Sequence, residues 1–184
     1  MEKFLIRKAV PDDAYWITYV NVYTRKTTYQ WLIPDFLIEN RIKNIDKRVE
    51  KMRELIKESW THLVLEDTEI KKIIWILSYC PSRNQDYPNS WEIMAIYILK
   101  EYQGLWLGKR LFLAWINELI TLWYNDMIIN VLKWNNTINF YKKYGGVVVW
   151  KRFDEVGEKK FKIYEDIVYF KDIGSLYLTY NSKN

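Results

Sequence analysis

Residues 101–110, EYQGLWLGKR, are the part of this sequence whose residue types and spacing point most directly to chemistry. Gly104 and Gly108 lie in a short turn between an apolar segment and a helical pattern. Glycine is needed where φ is positive or where a side chain would block a ligand, and a helix N-terminus offers free N–H groups and a positive dipole end to an anion. Lys109 and Arg110 add positive charge beside the turn. The segment therefore predicts a phosphate site, although an ordinary strand–helix turn with a close packing contact would look the same.

The chain has few residues that could bind a metal or act as a thiol nucleophile. It contains one histidine, His62, and one cysteine, Cys80, so a metal site built from these residue types is not expected. Cys80 lies at the end of a predicted strand before Pro81, with no obvious base, and we assign it a structural role rather than that of a nucleophile. A single cysteine cannot form an internal disulfide, which favours the reducing cytoplasm as the location.

The composition is typical of a folded protein of one domain. The 184 residues are 49% hydrophobic and 28% charged, and we expect one domain over residues 1–184. The N-terminal segment lacks the apolar run of a signal peptide, and no segment reaches the length of a membrane span, so no membrane partner is predicted. The net charge of +5 is spread along the chain, which indicates a solvated surface of mixed charge. A positive net charge would also favour the binding of an anionic cofactor.

The elements that would position these residues follow from hydrophobic periodicity. Strands are predicted at 3–9, 62–67, 72–80, 91–99, 127–132, 147–150 and 162–173. Helices are predicted from Pro11, after Pro34, at 108–123 and at 135–146, and the second carries an apolar stripe of Ile38, Ile42, Ile45, Val49, Met52 and Ile56 opposite a charged face. The order β-α-α-β-β-β-α-β-α-β-β, with early hairpins and a central βαβ unit, predicts an α/β fold. The C-terminal tail is expected on the surface.

Several segments in the right order resemble the GNAT superfamily of acetyl-CoA-dependent N-acyltransferases. Residues 103–108, Gln-Gly-Leu-Trp-Leu-Gly, match the family fingerprint at Gln103 and Gly108 and depart from it at Trp106. EIMAIYILKEY resembles the fourth strand of the family, and VLKWNNTINFYKKYGG its fifth strand and following helix. TTYQWLIPD is similar to a substrate-side segment of a bacterial branch near polyamine-type and uncharacterised acetyltransferases. The resemblance implies the GNAT fold, a mixed and mostly antiparallel central sheet with helices on both faces.

The resemblance also implies site residues for acetyl-CoA as cosubstrate. A splayed fourth strand would pair its backbone with the pantetheine arm, and the turn before the helix would hold the pyrophosphate. The implied cofactor-binding residues are Ile96, Tyr97, Ile98, Gln103, Gly104, Leu105, Trp106, Leu107, Gly108, Lys109 and Asn135. Asn135 could equally cap the helix after the fifth strand.

Two side chains are candidates for proton transfer. Tyr141 matches the position of the family's usual general acid, which would protonate the leaving thiolate, while its competing interpretation is a core aromatic residue. Glu92 lies on the fourth strand, where relatives often carry a glutamate that works through water. For Glu92 we leave three alternatives open: a general base, an exposed carboxylate at the strand end, or no role because ordered water alone accepts the proton.

The sequence is rich in tryptophan and poor in glycine, with 10 Trp and 6 Gly. Trp106 stands in the phosphate turn, and Trp31, Trp75, Trp91 and Trp123 stand where the resembled family commonly has glycine. A bulky residue at positive φ costs roughly 1–2 kcal/mol. One hypothesis is that UGA codons meaning glycine in the source were translated as tryptophan, and it predicts crowding or displacement at the turn. The alternative is that the tryptophans are real and that Trp106 stacks on or occludes the cofactor.

The function predicted from these residues is N-acetyl transfer from acetyl-CoA to a primary amine by direct attack in a ternary complex. The acceptor would be a small molecule or peptide, and a homodimer is an assembly the family commonly forms. One rival is a non-catalytic acyl-CoA-sensing or interaction domain blocked by Trp106. Another is a basic nucleic-acid binder with aromatic platforms, which does not explain the ordered segments. Asp12, Asp13, Asp35 and Asp86 could attract a cationic acceptor, although capping and solvation are their expected roles.

Overall fold

The computed structural model describes residues 3–29, 32–59, 61–156 and 161–182. Within those residues it contains seven strands, six α-helices and two short 3-10 turns. In chain order the strands and α-helices are β1 Phe4–Lys8, α1 Ala14–Thr28, α2 Asp35–Lys43, α3 Ile45–Glu58, β2 His62–Asp67, β3 Lys72–Pro81, β4 Trp91–Ile98, α4 Leu107–Thr121, β5 Met127–Leu132, α5 Ile138–Lys143, β6 Val147–Val156, β7 Phe161–Phe170 and α6 Ile173–Asn181.

The seven strands form one sheet in the order β1-β2-β3-β4-β5-β7-β6. β1 with β2, β2 with β3, β5 with β7 and β6 with β7 are antiparallel, whereas β4 and β5 are parallel. Parallel neighbours need a crossover connection, and α4 supplies it between β4 and β5. The predicted mixed, mostly antiparallel α/β sheet is confirmed, as is the early hairpin of β2 and β3.

The predicted second helix is two helices, and the break lies at Asn44. Its side-chain amide donates a hydrogen bond to the Asn40 carbonyl at 2.8 Å, and its backbone leaves the helical region with φ −105° and ψ 27°. Asparagine offers the backbone such alternative partners, which is why it weakens helix interiors. The apolar stripe continues across the break, since Ile38, Val49 and Ile56 are all buried.

The C-terminal tail contains a helix that the periodicity did not predict. α6 begins after Asp172, whose carboxylate accepts a hydrogen bond from the Ser175 N–H at 2.9 Å and so caps the helix. Ile173 and Leu176 of this helix are buried. Part of the tail therefore contributes to the core.

The chain forms two compact units. The N-terminal unit comprises Met1–Tyr79 and Ala95–Phe112, and the C-terminal unit comprises Cys80–Met94 and Leu113–Asn184. In the N-terminal unit α1 packs against α2 and α3. The single domain expected over residues 1–184 stays a prediction. No helix in the described part of the chain is long and apolar enough to cross a membrane.

Asp13 shows how the N-terminal unit fixes the start of α1. Its carboxylate accepts hydrogen bonds from the Val10 N–H at 2.8 Å and from both terminal nitrogens of Arg7 at 2.6 and 2.9 Å. Arg7 also pairs with Glu66 on β2. Asp13 therefore stands at the predicted N-cap position of α1, but its carboxylate is bound by Val10 and Arg7 and not by N–H groups of the helix.

Candidate active site

The end of β4 and the turn after it lie together in the N-terminal unit. The carbonyl of Ile98 accepts hydrogen bonds from the Gln103 side-chain amide at 3.2 Å and from the Thr24 hydroxyl at 3.4 Å. Tyr97 is 6% exposed, whereas its strand neighbours Ile96 and Ile98 are half-buried. The side chain of the fingerprint glutamine thus ties the predicted phosphate turn to the strand predicted to bind the pantetheine arm.

The turn itself is open at its backbone. Gly104 has φ 82°, and a Cβ built there would meet no atom within 4 Å among the described residues. Gln103, Gly104 and Leu105 are exposed, and α4 starts at Leu107, whose side chain is 3% exposed. Since the first N–H groups of a 15-residue helix have no partner within the helix, this end can bind an anion. The predicted phosphate residues therefore fit a pyrophosphate group.

Trp106 adopts a backbone conformation that suits glycine. Its φ is 61°, and its side chain is 76% exposed, so the indole is solvent-exposed rather than crowded by the turn. Its carbonyl accepts a hydrogen bond from the Lys109 N–H at 3.2 Å in the first turn of α4. The predicted crowding at the turn is therefore not found. Instead, a bulky residue in this backbone conformation costs about 1–2 kcal/mol in strain.

Two more tryptophans share this conformation. Four non-glycine residues have positive φ in the described part of the chain, and three of them are Trp106, Trp123 and Trp134. Trp123 and Trp134 are 92% and 70% exposed. By contrast, Trp75 and Trp115 are buried in the core. The misread-codon hypothesis gains support at the three positive-φ positions, while Trp31 and Trp60 lie outside the described residues.

Tyr141 lies on α5 in the C-terminal unit and is 2% exposed. The glycines after α5 hold it against the sheet: the Gly146 N–H donates to the Tyr141 carbonyl at 3.0 Å. A Cβ on Gly146 would lie 2.6 Å from Cγ1 of Val168 and 2.7 Å from the ring of Phe170, so only glycine fits there. The aromatic ring of Phe140 packs edge-on against Tyr141 with 5.4 Å between centroids.

Asn135 uses its side-chain oxygen within the turn before α5. The oxygen accepts hydrogen bonds from the Thr137 N–H at 3.0 Å and from the Thr137 hydroxyl at 2.7 Å. This is an Asx turn before α5 and not the helix cap offered as an alternative, because the N-cap residue of α5 is Thr137.

Glu92 is fully buried in the C-terminal unit, at 0% exposure. Its carboxylate accepts hydrogen bonds from the Asn130 amide at 2.7 Å, from the Arg83 N–H at 3.1 Å, and from Nε and Nη2 of the Arg83 guanidinium. An exposed strand-end carboxylate, one of the three alternatives, is therefore wrong. Sequence reasoning missed Arg83 and Asn130, because they lie in a loop and on another strand with no spacing that links them to Glu92.

Cys80 has the properties of an unreactive thiol. Burial raises its pKa, and the negative charge of Glu92 raises it further, while Arg83 opposes this shift. Thiolates, not thiols, are the nucleophiles, so a raised pKa works against covalent catalysis. Among the described residues no group of three or more His, Cys, Asp or Glu side chains could hold a metal ion.

Comparison with known proteins identifies acetyltransferases. The chain is 26% identical over 140 residues to the uncharacterized N-acetyltransferase YuaI of Bacillus subtilis, covering 76% of this chain and 78% of that protein. No protein-family model matches the chain.

Solved structures give the same result at the level of fold. PaiA N-acetyltransferase from Thermoplasma acidophilum in complex with coenzyme A matches with a TM-score of 0.72 and 19% identity, over 91% of this chain and 98% of that one. YncA from Salmonella typhimurium with its cofactor acetyl-CoA matches with a TM-score of 0.65 and 17% identity, over 92% and 94%. These matches confirm the fold predicted from the sequence, and the similarity to YuaI agrees with the predicted resemblance.

Proposed function

We propose that this chain, which has the fold of the GNAT acetyltransferases, transfers an acetyl group from acetyl-CoA to a primary amine in a ternary complex. The observation that carries this proposal is the turn after β4. It joins the fingerprint Gln103, hydrogen-bonded to Ile98 O, to an open Gly104 and the N-terminus of α4. Acetyl-CoA supplies the acetyl group as an activated thioester.

The backbone of the turn and of β4 would bind the cosubstrate. The N–H groups from Gly104 to Gly108 would bind the pyrophosphate, helped by the helix dipole and by the side-chain charge of Lys109. The backbone of Ile96, Tyr97 and Ile98 would pair with the pantetheine arm. Asn135 keeps a side-chain NH₂ group that could donate to the cosubstrate while its oxygen caps the turn.

The protons would move through Tyr141 and water. Tyr141 would protonate the leaving sulfur, since a phenol can donate to a thiolate held close to it. The Glu92 carboxylate is fully buried and already accepts hydrogen bonds from Arg83 and Asn130, so we assign removal of the amine proton to ordered water. The buried Oδ1 of Asn130 has no donor among the described residues, and a water can satisfy such an atom. The raised pKa of Cys80 favours direct attack of the amine.

The non-catalytic alternative has less support. It requires Trp106 to block the cosubstrate, whereas the neighbouring Gly104 leaves the backbone of the turn open. Homodimer assembly and a cytoplasmic location stay predictions.

The test is calorimetric titration of acetyl-CoA into the protein and into Trp106→Gly, followed by thiol release with a panel of primary amines. We expect both proteins to bind acetyl-CoA, and Tyr141→Phe to bind it equally but to lose turnover by roughly 10²–10⁴-fold. Binding by Trp106→Gly alone would support the turn's role and identify the indole as a block. Failure of both to bind would overturn the proposal.

A further inference from the structure

Three arginines come together on the first three helices of the N-terminal unit. Arg25 lies on α1, Arg41 on α2 and Arg48 on α3, and α1 packs against both other helices. All three side chains are half-buried. They form what we call the arginine cluster.

The cluster has no carboxylate among the described residues. The Nε atoms of Arg25 and Arg48 are buried without a hydrogen-bond acceptor there. Other arginines of the same protein are paired: Arg7 with Asp13, Arg53 with Glu50 and Arg83 with Glu92. Arginine side chains removed from water are normally paired, so three half-buried arginines without a carboxylate partner among the described residues indicate a missing anion.

The electrostatics of the cluster agree with its geometry. Burial and the positive charges of Arg25 and Arg48 together lower the pKa of Arg41 to about 10. Burial and the charge of Arg25 also lower the pKa of Arg48. The positive charge of Arg25 thus acts on both Arg41 and Arg48, and a bound anion would relieve that repulsion.

Two tyrosines fix the cluster beside β4. The Arg25 guanidinium lies 5.1 Å from the ring centroid of Tyr97 and 5.7 Å from that of Tyr29, distances typical of cation–π contacts. The hydroxyls of the two tyrosines are 3.3 Å apart. Tyr97 and the adjacent Ile98 belong to the strand end that the proposed function gives to the cosubstrate, and Thr24, next to Arg25, contacts the Ile98 carbonyl.

We propose that Arg25, Arg41 and Arg48 bind an oxyanion, a carboxylate or a phosphate, carried by the acceptor amine. This inference rests on the proposed function and names its substrate class. The guanidinium fork matches both oxyanions, and charge-assisted bonds of this kind are stronger than neutral ones. The expected acceptor is therefore an anionic amine such as an amino acid or a phosphorylated amine, not a polycation.

The experiment compares matched acceptors in the thiol-release assay with the full chain. Amino acids are compared with their carboxamides, and O-phosphoethanolamine is compared with ethanolamine. A carboxamide has a less basic amine, so a preference for the acid cannot come from amine basicity. The variants are Arg41→Met and Arg48→Met, and the control is Arg53→Met, an arginine of α3 that pairs with Glu50 instead.

We expect kcat/KM to be higher for the anionic member of at least one pair, and to fall roughly 10- to 100-fold in Arg41→Met and Arg48→Met. The neutral member should lose little in these variants, and Arg53→Met should match the unmodified protein. The pair that shows the preference distinguishes carboxylate from phosphate. Equal losses for both members, with a raised KM for acetyl-CoA, would assign the arginines to the cosubstrate's phosphates and overturn the inference.

A second measurement separates this inference from the proposed function. If no amine is acetylated, calorimetry with N-acetylglycine, N-acetylglycinamide and inorganic phosphate tests the cluster directly. Binding of either anion that is lost in Arg41→Met, without binding of the amide, would keep the oxyanion site while the acetyltransferase proposal falls. Absence of anion binding would overturn the oxyanion site as well.

Discussion

Arg83 is exposed and Arg41 is half-buried, and of the two only Arg83 has a carboxylate partner among the described residues. The Arg83 guanidinium reaches the fully buried Glu92 at the start of β4. Arg41 lies near Arg25, Arg48 and Tyr97, the last at the end of the same strand. The fold thus compensates the buried charge of Glu92, whereas the arginine cluster has no carboxylate partner among the described residues.

The largest effect is expected for Arg83→Met. The substitution leaves the Glu92 carboxylate buried with only the Asn130 amide and one backbone N–H as donors. Breaking a buried pair in this way costs about 3–5 kcal/mol in the free energy of unfolding. Urea denaturation measures it, with Arg53→Met as the exposed-pair control, for which we expect less than about 1 kcal/mol. A loss for Arg83→Met as small as that of the control would mean that Glu92 does not depend on its partner.

Arg41→Met should increase the free energy of unfolding, in contrast to Arg83→Met. Replacing an uncompensated, half-buried cation by an apolar side chain removes repulsion, and such replacements stabilise proteins by about 1–4 kcal/mol when a buried charge is involved. Because Arg41 is only partly buried, we expect a gain near the lower end, seen as a higher denaturant midpoint in the absence of ligand. A clear loss of stability would show that the arginine holds the helices together and is not reserved for a ligand.

Trp123→Gly tests strain at positive φ, away from the predicted phosphate turn. The indole is 92% exposed and its φ is 64°, so glycine relieves backbone strain and loses little packing. The relief of roughly 1–2 kcal/mol is partly offset by the entropy of glycine, which leaves a gain of about 1 kcal/mol. The matched control is the buried Trp75→Gly, which should lose at least about 3 kcal/mol. Peptide mass spectra of protein from its source decide whether tryptophan or glycine is encoded, and tryptophan at 106, 123 and 134 would end the misread-codon hypothesis.

The smallest effect concerns His62, the one histidine of the chain. Burial lowers its pKa below the usual 6.5, so in the window under 6.5 the unfolded chain takes up a proton that the folded chain does not. The free energy of unfolding should therefore decrease as the pH falls below about 6.5, and His62→Gln should lose that part of the slope. The NMR titration of the single imidazole gives the folded-state pKa, and a value above 6.5 would reverse the expected sign.

Local sequence patterns predicted most of the fold. Alternation marked the strands of the sheet, and Gly104 and Gly146 occupy positions that require glycine for a positive φ and for a close approach to β7. Asn44 and Asp172 are residue types that often end or cap helices. Hydrophobic periodicity did not predict the break or the cap, because each depends on a single side-chain hydrogen bond. Such bonds decide where helices begin and end, and an apolar repeat carries no information about them.

The sequence alone predicted the seven strands, four of the helical segments and the turn that fits a phosphate. It could do so because these features depend on neighbouring residues and on a motif with fixed spacing. Only the tertiary structure decided that Glu92 is bound by Arg83 and Asn130, and that Arg25, Arg41 and Arg48 share one site. In the sequence these three arginines belong to charged helix faces that would be solvated in isolation. Packing of α1 against α2 and α3 brings them together, because contacts between helices depend on geometry that no local spacing encodes.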